Sequence, residues 1–503
     1  MRSRSRSLCD AALRHPARAI LVTAFLLRLT TSLVVVVAGL VLPTWDAEVT
    51  VLAPSYAQEL SPYLSPFVRW DAVHFAHVAL RGYGVEERTA AFMPGLPLGV
   101  MRGGGKVLAW MGGREKVGVN EVVLAGLLGS AAATAGAAVV LHRLTLRLFP
   151  HAPPAFALLN SLLFLLAPSR PTIHAAPYTE PFSAFFTFLG MYLFSSPIRG
   201  LATEAAAAVA WGVGGLFRAQ GAVLGPGFFG WRYMLQPLRD HTRLSISKIL
   251  SFIALFAILT SISISPFLAF ERYIYRLYCS SSSVAILEQG MGRRPWCDSA
   301  LGLSYGWIQR EYWDIGLFKY WRPLQLPNFL LAAPVLALAF SASHTFYSSN
   351  HSAVLSSTFP FLFPSPSSQS PSASFSPASS SIPSRLRPFS SPPSPAHAST
   401  LTPFVHLSTA LSLLLLTTAH VQIALRVCVT DPVVWWWAAE LLWRDLGGEE
   451  RSMVLTGQEK AAKGEKEKKG ERRGRRRGLL WLKYCAVWGT VATVLYAVFL
   501  PPA

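Results

Sequence analysis

The chain has 503 residues, of which 52% are hydrophobic and only 14% are charged, and its formal net charge is +19 at pH 7. This composition excludes a soluble domain with one core, because such a core cannot bury so many apolar runs. The charge does not indicate a nucleic-acid-binding protein, because most basic residues lie in short segments beside those runs. We therefore predict an all-α polytopic membrane protein.

Apolar runs recur along the chain, several of them about long enough to cross a membrane. The first covers residues 19–42 and is broken by Arg28, which we expect to snorkel from near its helix end. A glycine-rich stretch at 205–231 indicates a hairpin or a broken helix. Allowing for re-entrant pieces, we predict roughly nine to eleven spans. The other runs are 122–141, 156–167, 182–194, 249–270, 329–340, 404–425, 433–443 and 479–500.

Basic residues predict the orientation of these spans. Residues 1–18 carry several arginines, so this N-terminal segment is expected in the cytoplasm, as is the basic loop 444–478. An organellar transit peptide is the alternative for the N-terminus, disfavoured because a span begins almost at once. We predict a catalytic membrane region at 19–340, with loops on the opposite side at about 43–120, 168–181 and 271–328, and a C-terminal membrane region at 403–503.

Residues 341–402 have a different composition from the rest of the chain. Serine and proline dominate, as in "PSPSSQSPSASFSPASSSIPSRLRPFSSPPSP". Such a segment buries too little apolar surface to offset the entropy lost on ordering. We predict a disordered insert there and assign it no chemistry.

The five cysteines are scattered and form no CxxC pair, so we expect no zinc or iron-sulfur site. Cys279 and Cys297 fall within one predicted loop on the far side of the membrane. A disulfide between them is one interpretation, if that side is an oxidising lumen, and two free thiols is the other.

The stretch "FVRWDAVHFAHVALRGYG", residues 67–84, follows the first span. Read as a helix, it places Asp71, His74 and His77 at i, i+3 and i+6, spread over about a third of the circumference, so all three can line a cleft. Asp71 is a candidate general base beside a membrane surface. The alternative is an interfacial amphipathic helix with solvated polar residues. A metal site is less well supported, since two histidines lack a third ligand.

Two further polar regions lie in predicted far-side loops. Glu180, in "SRPTIHAAPYTEPFSAFF", opens an apolar run, where a carboxylate either stabilises the helix dipole or serves the site. The long loop at 292–334 combines rings that stack on sugars with arginines that pair with phosphate. An aromatic belt explains the tryptophans but not so many arginines on that side. These residues are Trp296, Trp307, Tyr312, Trp313, Tyr320 and Trp321, with Arg293, Arg294, Arg310, Lys319 and Arg322.

Taken together, these motifs resemble those of the GPI mannosyltransferase 2 family, of PIG-V type, over nearly the whole chain outside the insert. The third loop is the most specific piece, with "RPWC" followed by "Y.WIQ..YW..G...YW...Q.PNFLLA.P". "HVQIALR" at 420–426 and the terminal "FLPPA" fit as well. "FRAQG" departs from the family's Phe-Arg-Ser-Asn-Gly at Ala219 and Gln220, which puts a polar contact at that turn in doubt. The other matching positions are Trp70, Asp71, His74, Phe75, Gly82, Tyr83, Glu86, Phe92, Pro94, Pro97, Tyr178, Glu180, Arg218 and Gly221.

The resemblance implies a GT-C glycosyltransferase of the endoplasmic reticulum membrane. It would transfer the second mannose, in α1,6 linkage, from dolichyl-phosphate mannose to the GPI anchor precursor on the lumenal face. The donor sugar is β-linked, so one inverting displacement suffices and no cofactor is required. Asp71 is then the expected base, and Glu180 is the runner-up or a positioning partner.

Substrate contacts follow from ring type, charge and predicted side. We expect Arg294 on the leaving phosphate, helped by Arg218 and Arg322. Trp296, Trp313 and Gln309 are expected to contact sugar, and the matching Trp70 and His74 are counted with the substrate-binding residues. The expected partners are the lipid substrates and a small accessory membrane subunit, and no nucleic acid.

Three other interpretations stand beside this one. In the first, the chain is another transferase that uses dolichyl-phosphate mannose, and its acceptor specificity would distinguish it. In the second, it is a polytopic transporter, a class that requires ionisable residues within the spans, where few are found. Or it is a non-catalytic scaffold, against which Asp71 and Glu180 argue only weakly.

Overall fold

The computed structural model describes residues 10–45, 54–198, 200–239, 245–280, 294–363, 387–390, 394–447 and 476–500. All regular secondary structure in these ranges is helical, which confirms the all-α prediction. The α-helices are α1 Pro16–Val41, α2 Pro54–Glu59, α3 Asp71–Arg81, α4 Gly103–Met111, α5 Val119–Leu148, α6 Pro154–Leu165, α7 Arg170–His174, α8 Glu180–Phe194, α9 Leu201–Gly215, α10 Gly221–Gly230, α11 Gln236–Arg239, α12 Ile246–Cys279, α13 Tyr305–Trp313, α14 Leu326–Ser349, α15 His351–Thr358, α16 Pro395–Thr417, α17 Ala424–Val427, α18 Pro432–Asp445 and α19 Arg477–Ala497.

Short segments of other helix types join these elements. Six are single 3₁₀ turns or little more, at Ser65–Phe67, Glu87–Ala91, Pro295–Asp298, Pro323–Gln325, Val421–Ile423 and Cys428–Thr430. Two are π-helical, at Gly95–Arg102 and Trp231–Leu235. The 3₁₀ and π segments fall mostly at element ends, where the regular hydrogen-bond ladder stops.

Six helices of the described ranges are long and apolar enough to cross a membrane, so the chain is a membrane protein. This count does not reach the predicted nine to eleven, because some apolar runs form shorter helices, such as α6 and α8. The predicted broken helix at 205–231 is present as α9 and α10. The six helices are Pro16–Val41, Val119–Leu148, Ile246–Cys279, Pro323–Ser349, Pro395–Thr417 and Arg477–Ala497.

The serine-rich insert is shorter than the sequence suggested. Helix α14 runs to Ser349, α15 follows it, and α16 begins at Pro395, so a disordered loop over 341–402 is wrong at both ends. The Ser348 hydroxyl donates to the His344 carbonyl (2.7 Å), and Phe346 is buried. Hydroxyls are thus satisfied within the helix while the rings between them pack in the core. Residues 364–386 and 391–393 lie outside the described residues.

Arg28 does not snorkel to the membrane interface. It lies near the middle of α1, and its Nη2 donates to the carbonyls of Leu127 (2.7 Å) and Ala175 (3.5 Å). Its guanidinium is therefore held inside the helical bundle, which corrects the expectation from sequence. These carbonyls replace the water that a charged donor loses within a span, which reduces the cost of placing it there.

Close packing of α8 and α9 places two polar residues at one end of the bundle. Gly190 of α8 approaches the Trp211 ring so closely that a Cβ there would lie 2.3 Å from its Nε1. Glycine is therefore required for this approach. Glu180 begins α8, and Arg218 follows the end of α9, so the packing brings both toward the same site.

The C-terminal helix α19 fixes the segment that precedes α3. The Tyr496 hydroxyl donates to the Phe67 carbonyl (2.7 Å), and Arg69 Nε donates to the Ala497 carbonyl (3.0 Å). The Arg69 guanidinium also lies over the Phe499 ring, 4.5 Å from its centroid. Residues 496–499 and the first large loop are therefore packed together, although they are far apart in sequence.

Cys279 and Cys297 form a disulfide with a Cα–Cα distance of 5.5 Å. Of the two interpretations of these cysteines, the structure therefore favours the bridge. The disulfide ties the loop that carries Arg294 and Trp296 to the end of α12.

Candidate functional site

Asp71 is the first residue of α3, which confirms the helix predicted for this stretch. Trp70, directly before it, has φ 54° and ψ −127°, a conformation that bulky residues rarely adopt and that costs about 1–3 kcal/mol. His74 and His77 are buried, with His74 stacked on the Phe92 ring at 5.0 Å. The structure therefore does not place the histidines on an open cleft, whereas 32% of the Asp71 side chain is exposed.

Glu180 is the first residue of α8 and is fully buried. A carboxylate at this position is stabilised by the helix dipole, as the sequence indicated. Two guanidinium groups also contact it. Arg218 Nη1 lies 2.5 Å from Glu180 Oε1, and Arg426 Nε lies 2.8 Å from the same oxygen. Glu180 therefore has a role beyond capping, because it joins two cations.

Arg426 is the residue of this site that the sequence analysis did not select. It lies in α17, within "HVQIALR", and its Nη2 is 2.6 Å from Asp71 Oδ2 and 2.6 Å from Glu180 Oε1. Its guanidinium also lies over the Tyr178 ring, 4.6 Å from the centroid. The sequence signal that could have identified Arg426 was its position as a cation at the end of an apolar run, inside a motif that matches the family.

The turn between α9 and α10 presents Arg218. A Cβ on Gly221 would lie 2.4 Å from the Gly215 nitrogen, so only glycine allows the two helix ends to approach this closely. Gln220 Nε2 donates to the Thr430 hydroxyl (2.9 Å). A polar contact is therefore present at this turn despite the departure from the family pattern, which corrects the doubt raised by the sequence.

These four residues, Asp71, Glu180, Arg218 and Arg426, form what we call the Asp71 cluster. Two carboxylates and two guanidinium groups give it no net charge. Burial raises the pKa of the Asp71 carboxyl, but the Arg426 guanidinium outweighs this effect and holds the pKa below its usual value. Burial lowers the pKa of Arg426, but Asp71 and Glu180 raise it by more, to above its usual value, so Asp71 and Arg426 both stay ionised. Asp71 is the member most open to solvent.

A second group, the Glu87 cluster, consists of Glu87, Arg294, Trp296 and Tyr312. Glu87 Oε1 lies 3.2 Å from Arg294 Nε and accepts a hydrogen bond from Trp296 Nε1 (2.8 Å). Its other oxygen accepts from the Tyr312 hydroxyl (2.8 Å). Only 1% of the Glu87 side chain and 12% of the Arg294 side chain are exposed. The predicted phosphate ligand Arg294 thus already has a buried counter-charge.

The structure places the remaining predicted residues along the third loop. The Trp313 ring meets the Phe92 ring edge-on (5.8 Å), and its carbonyl contacts His420 Nε2 (2.7 Å). The Gln309 side chain reaches Tyr305, which lies near Arg218. Arg322 is exposed and pairs with Asp314 (2.8 Å). The loop therefore lies against the Asp71 region through Trp313 and Tyr305, whereas Arg322 faces solvent.

A cavity of about 320 Å³ lies between the end of α12 and residues 299–303, lined in part by Glu271, Arg272 and Tyr275. It is separate from the Asp71 cluster, none of whose members lines it. Within the described ranges, no group of three or more His, Cys, Asp or Glu side chains is arranged to hold a metal ion.

Comparison with known proteins identifies the family. A family profile described as Mannosyltransferase (PIG-V) matches residues 20–503. GPI mannosyltransferase 2 of Cryptococcus neoformans var. neoformans serotype D is 33% identical over 446 residues, covering 87% of this chain and 89% of that protein. GPI alpha-1,6-mannosyltransferase 2 of Rattus norvegicus is 34% identical over 319 residues, covering 59% and 61%.

A solved structure of the archaeal oligosaccharyltransferase AglB from Archaeoglobus fulgidus aligns with a TM-score of 0.42 and 12% identity, over 97% of this chain and 56% of that one. The profile match runs from the first span through both carboxylates to the last helix, and the alignment with the Cryptococcus protein covers 87% of this chain. This chain therefore belongs to the PIG-V family of mannosyltransferases.

Proposed function

We propose that this chain transfers mannose in α1,6 linkage from dolichyl-phosphate mannose to the GPI anchor precursor, as the second mannose of that glycan. Relatives named GPI mannosyltransferase 2 and GPI alpha-1,6-mannosyltransferase 2 support the activity. The observation that carries the chemistry is Asp71, the most exposed carboxylate of a cluster whose other carboxylate, Glu180, is fully buried.

Transfer requires a base for the acceptor hydroxyl. Asp71 takes that proton while the hydroxyl oxygen attacks the anomeric carbon of mannose from the face opposite the phosphate. The bond from the anomeric carbon to the phosphate oxygen breaks, and its electron pair leaves with dolichyl phosphate. One displacement inverts the β-linked donor to an α-linked product. No general acid is needed, because a phosphate is a good leaving group once cations counter its charge.

Glu180 is the alternative base, but it is fully buried and contacts both arginines. Its position supports a role in holding Arg218 and Arg426 rather than in receiving a proton. Sugar contacts by Trp296 and Trp313 remain predictions. The Trp296 ring is enclosed beside Glu87, whereas Trp313 lies closer to the Asp71 helix through Phe92.

The site would face the lumen of the endoplasmic reticulum. The Cys279–Cys297 disulfide supports an oxidising compartment on the side of the third loop. An N-terminus in the cytoplasm fits this arrangement, because one span, α1, separates it from the loop that carries Asp71 and so places that loop on the opposite side. A small accessory membrane subunit stays part of the proposal on the basis of the family resemblance alone.

Complementation tests this function directly. Cells lacking the second GPI mannosyltransferase receive either the wild-type chain or Asp71→Asn at matched expression, and surface GPI-anchored protein is measured. Wild type should restore the signal and Asp71→Asn should not. If both restore it, Asp71 is not the base. If the wild-type chain reaches the endoplasmic reticulum, with its accessory subunit co-expressed, and restores nothing, the proposed activity is wrong.

A further inference from the structure

The charges of the Asp71 cluster are arranged unequally around Arg426. Glu180 is fully buried and touches both guanidinium groups, so it is a fixed counter-charge. Asp71 contacts Arg426 and is the most exposed member of the cluster. Without Asp71, the two arginines and Glu180 carry one net positive charge. The position that Asp71 occupies beside Arg426 can therefore hold one negative charge, either that of Asp71 or that of a ligand.

A sugar-phosphate lipid of the proposed donor class carries that charge. Its phosphodiester has a single negative charge, and guanidinium groups bind phosphate oxygens through paired hydrogen bonds. The Arg426 side chain is 13% exposed and the Arg218 side chain 22% exposed, so solvent reaches part of both. An incoming phosphate competes with Asp71 for the same guanidinium.

We propose that Arg426 binds the phosphate of the lipid donor and that, in the resting protein, Asp71 occupies this binding position and is released to act as base when the donor arrives. The inference rests on the function proposed above. Arg426 thus couples donor binding to activation of the base, and Asp71 becomes a proton acceptor only when a sugar phosphate is bound.

Charge stays balanced through the reaction. Before transfer, Asp71 and the phosphodiester each carry one negative charge. The acceptor proton then moves to Asp71 and neutralises it, while the departing dolichyl phosphate becomes a monoester with close to two negative charges. One negative charge has moved from the carboxylate to the phosphate, and Arg426, which touches the Asp71 position, faces the same total charge throughout.

Arg294 is less suited to this exchange. Its carboxylate partner Glu87 is 1% exposed and accepts hydrogen bonds from both Trp296 and Tyr312. Displacing Arg294 from Glu87 would leave a buried carboxylate without its cation, which is costly. Displacing Asp71 from Arg426 leaves a carboxylate that reaches solvent.

The test is the affinity of the purified full-length protein in nanodiscs for dolichyl monophosphate. Asp71→Asn keeps the side-chain shape but removes the competing charge, and it mimics the protonated Asp71 of the product state. We expect it to bind dolichyl monophosphate about three- to tenfold more tightly than wild type, although it transfers mannose far more slowly. A merely structural Asp71 would not tighten binding. Affinity equal to or weaker than that of wild type overturns the inference.

Asp314→Asn is the matched control. It removes one carboxylate from the third loop, where Asp314 is exposed and paired with Arg322 and Lys319. Its affinity for dolichyl monophosphate should equal that of wild type. If it tightens binding as much as Asp71→Asn does, the effect is one of general charge, and exchange at Arg426 is overturned.

A second variant covers the case in which Asp71→Asn does not fold. Arg426→Lys keeps the positive charge but loses the paired hydrogen bonds, so dolichyl monophosphate should bind about tenfold more weakly while uncharged dolichol binds as before. Unchanged phosphate affinity overturns the inference. Mannose transfer by wild type, co-purified with its accessory subunit in the same nanodiscs, separates the two proposals. Transfer with unaltered affinities refutes only the exchange, whereas absent transfer refutes the activity itself.

Discussion

The Asp71 and Glu87 clusters contain the same chemical groups, a carboxylate paired with an arginine, yet their surroundings differ. Glu87 is 1% exposed and uses both oxygens on three donors, of which Trp296 and Tyr312 are neutral. Asp71 is 32% exposed and shares Arg426 with a second carboxylate. The first carboxylate is committed to its partners, while the second can exchange them.

In the proposed mechanism, this difference separates an ion pair that holds the structure from one that takes part in chemistry. A carboxylate satisfied by several enclosed donors fixes the elements that supply them, here the third loop and the Glu87–Ala91 turn. A carboxylate at the open edge of a neutral cluster can accept a proton without unpairing a buried cation, since Glu180 keeps Arg426. Charge type alone, read from sequence, does not distinguish the two.

The largest expected effect is on turnover. Asp71→Asn should lower the rate of mannose transfer by about 100- to 10,000-fold, the usual contribution of a general base. Glu87→Gln should leave the turnover of the folded fraction within about fivefold of wild type, because Glu87 touches no reacting group in the proposed mechanism. Transfer to a synthetic acceptor, normalised to folded protein, measures both. Comparable losses in the two variants would remove the distinction between the clusters.

For stability, we expect Glu87→Gln to have the larger effect and Asp71→Asn the smaller one. Glu87→Gln leaves the Arg294 guanidinium buried without its carboxylate and should cost about 3–5 kcal/mol of unfolding free energy. Asp71→Asn should cost less, about 1 kcal/mol, because Arg426 keeps Glu180 as its counter-charge. Thermal unfolding in nanodiscs measures the difference. Should Asp71→Asn prove the less stable variant, the Asp71 pair is the structural one.

The disulfide gives a third comparison, since it holds the Glu87 cluster and not the Asp71 cluster. It joins cysteines 18 residues apart, and Cys297 directly follows Trp296. Replacing both cysteines by serine should lower the unfolding free energy by about 3 kcal/mol, as for other loops of this size. Cys428→Ser is the control, because Cys428 is a buried free thiol. Equal stability of the double variant and wild type would show that the bridge does not hold the loop.

Much of the fold follows from the sequence. Apolar runs locate the long helices, and the glycines of 205–231 correctly indicate a break, now seen between α9 and α10. The predicted span count of nine to eleven stays a prediction, since the six helices of membrane length do not include shorter apolar helices such as α8, with 15 residues. The ends of the serine-rich insert were also missed, because residues such as Phe346 order their serine neighbours by packing in the core.

The site is predicted only in part. Asp71 and Glu180 stand out because each carboxylate opens a helix beside an apolar run. Arg426 could not be placed with them, since it lies 355 residues from Asp71 and their contact depends on tertiary packing. Likewise, the sequence presents Arg294 as a phosphate ligand, because its partner Glu87 is distant in the chain. Glu87 lies 209 residues from Trp296, which also contacts it, so only the fold brings these residues together. Sequence shows which groups are present, and packing decides which are already paired.

The smallest expected effect is the pH dependence of stability. Arg426 holds the pKa of Asp71 in the folded protein below the value of about 3.9 typical of an unfolded chain. The unfolded state therefore binds this proton more readily, and the Asp71 contribution is present above about pH 4 and lost as the pH falls through the folded-state pKa. The stability difference between wild type and Asp71→Asn should thus be constant from about pH 5 to 8, and shrink below about pH 4. Thermal unfolding across this range measures it, and a difference that instead grows on acidification would mean that burial outweighs Arg426 and that Asp71 is protonated more easily in the folded protein.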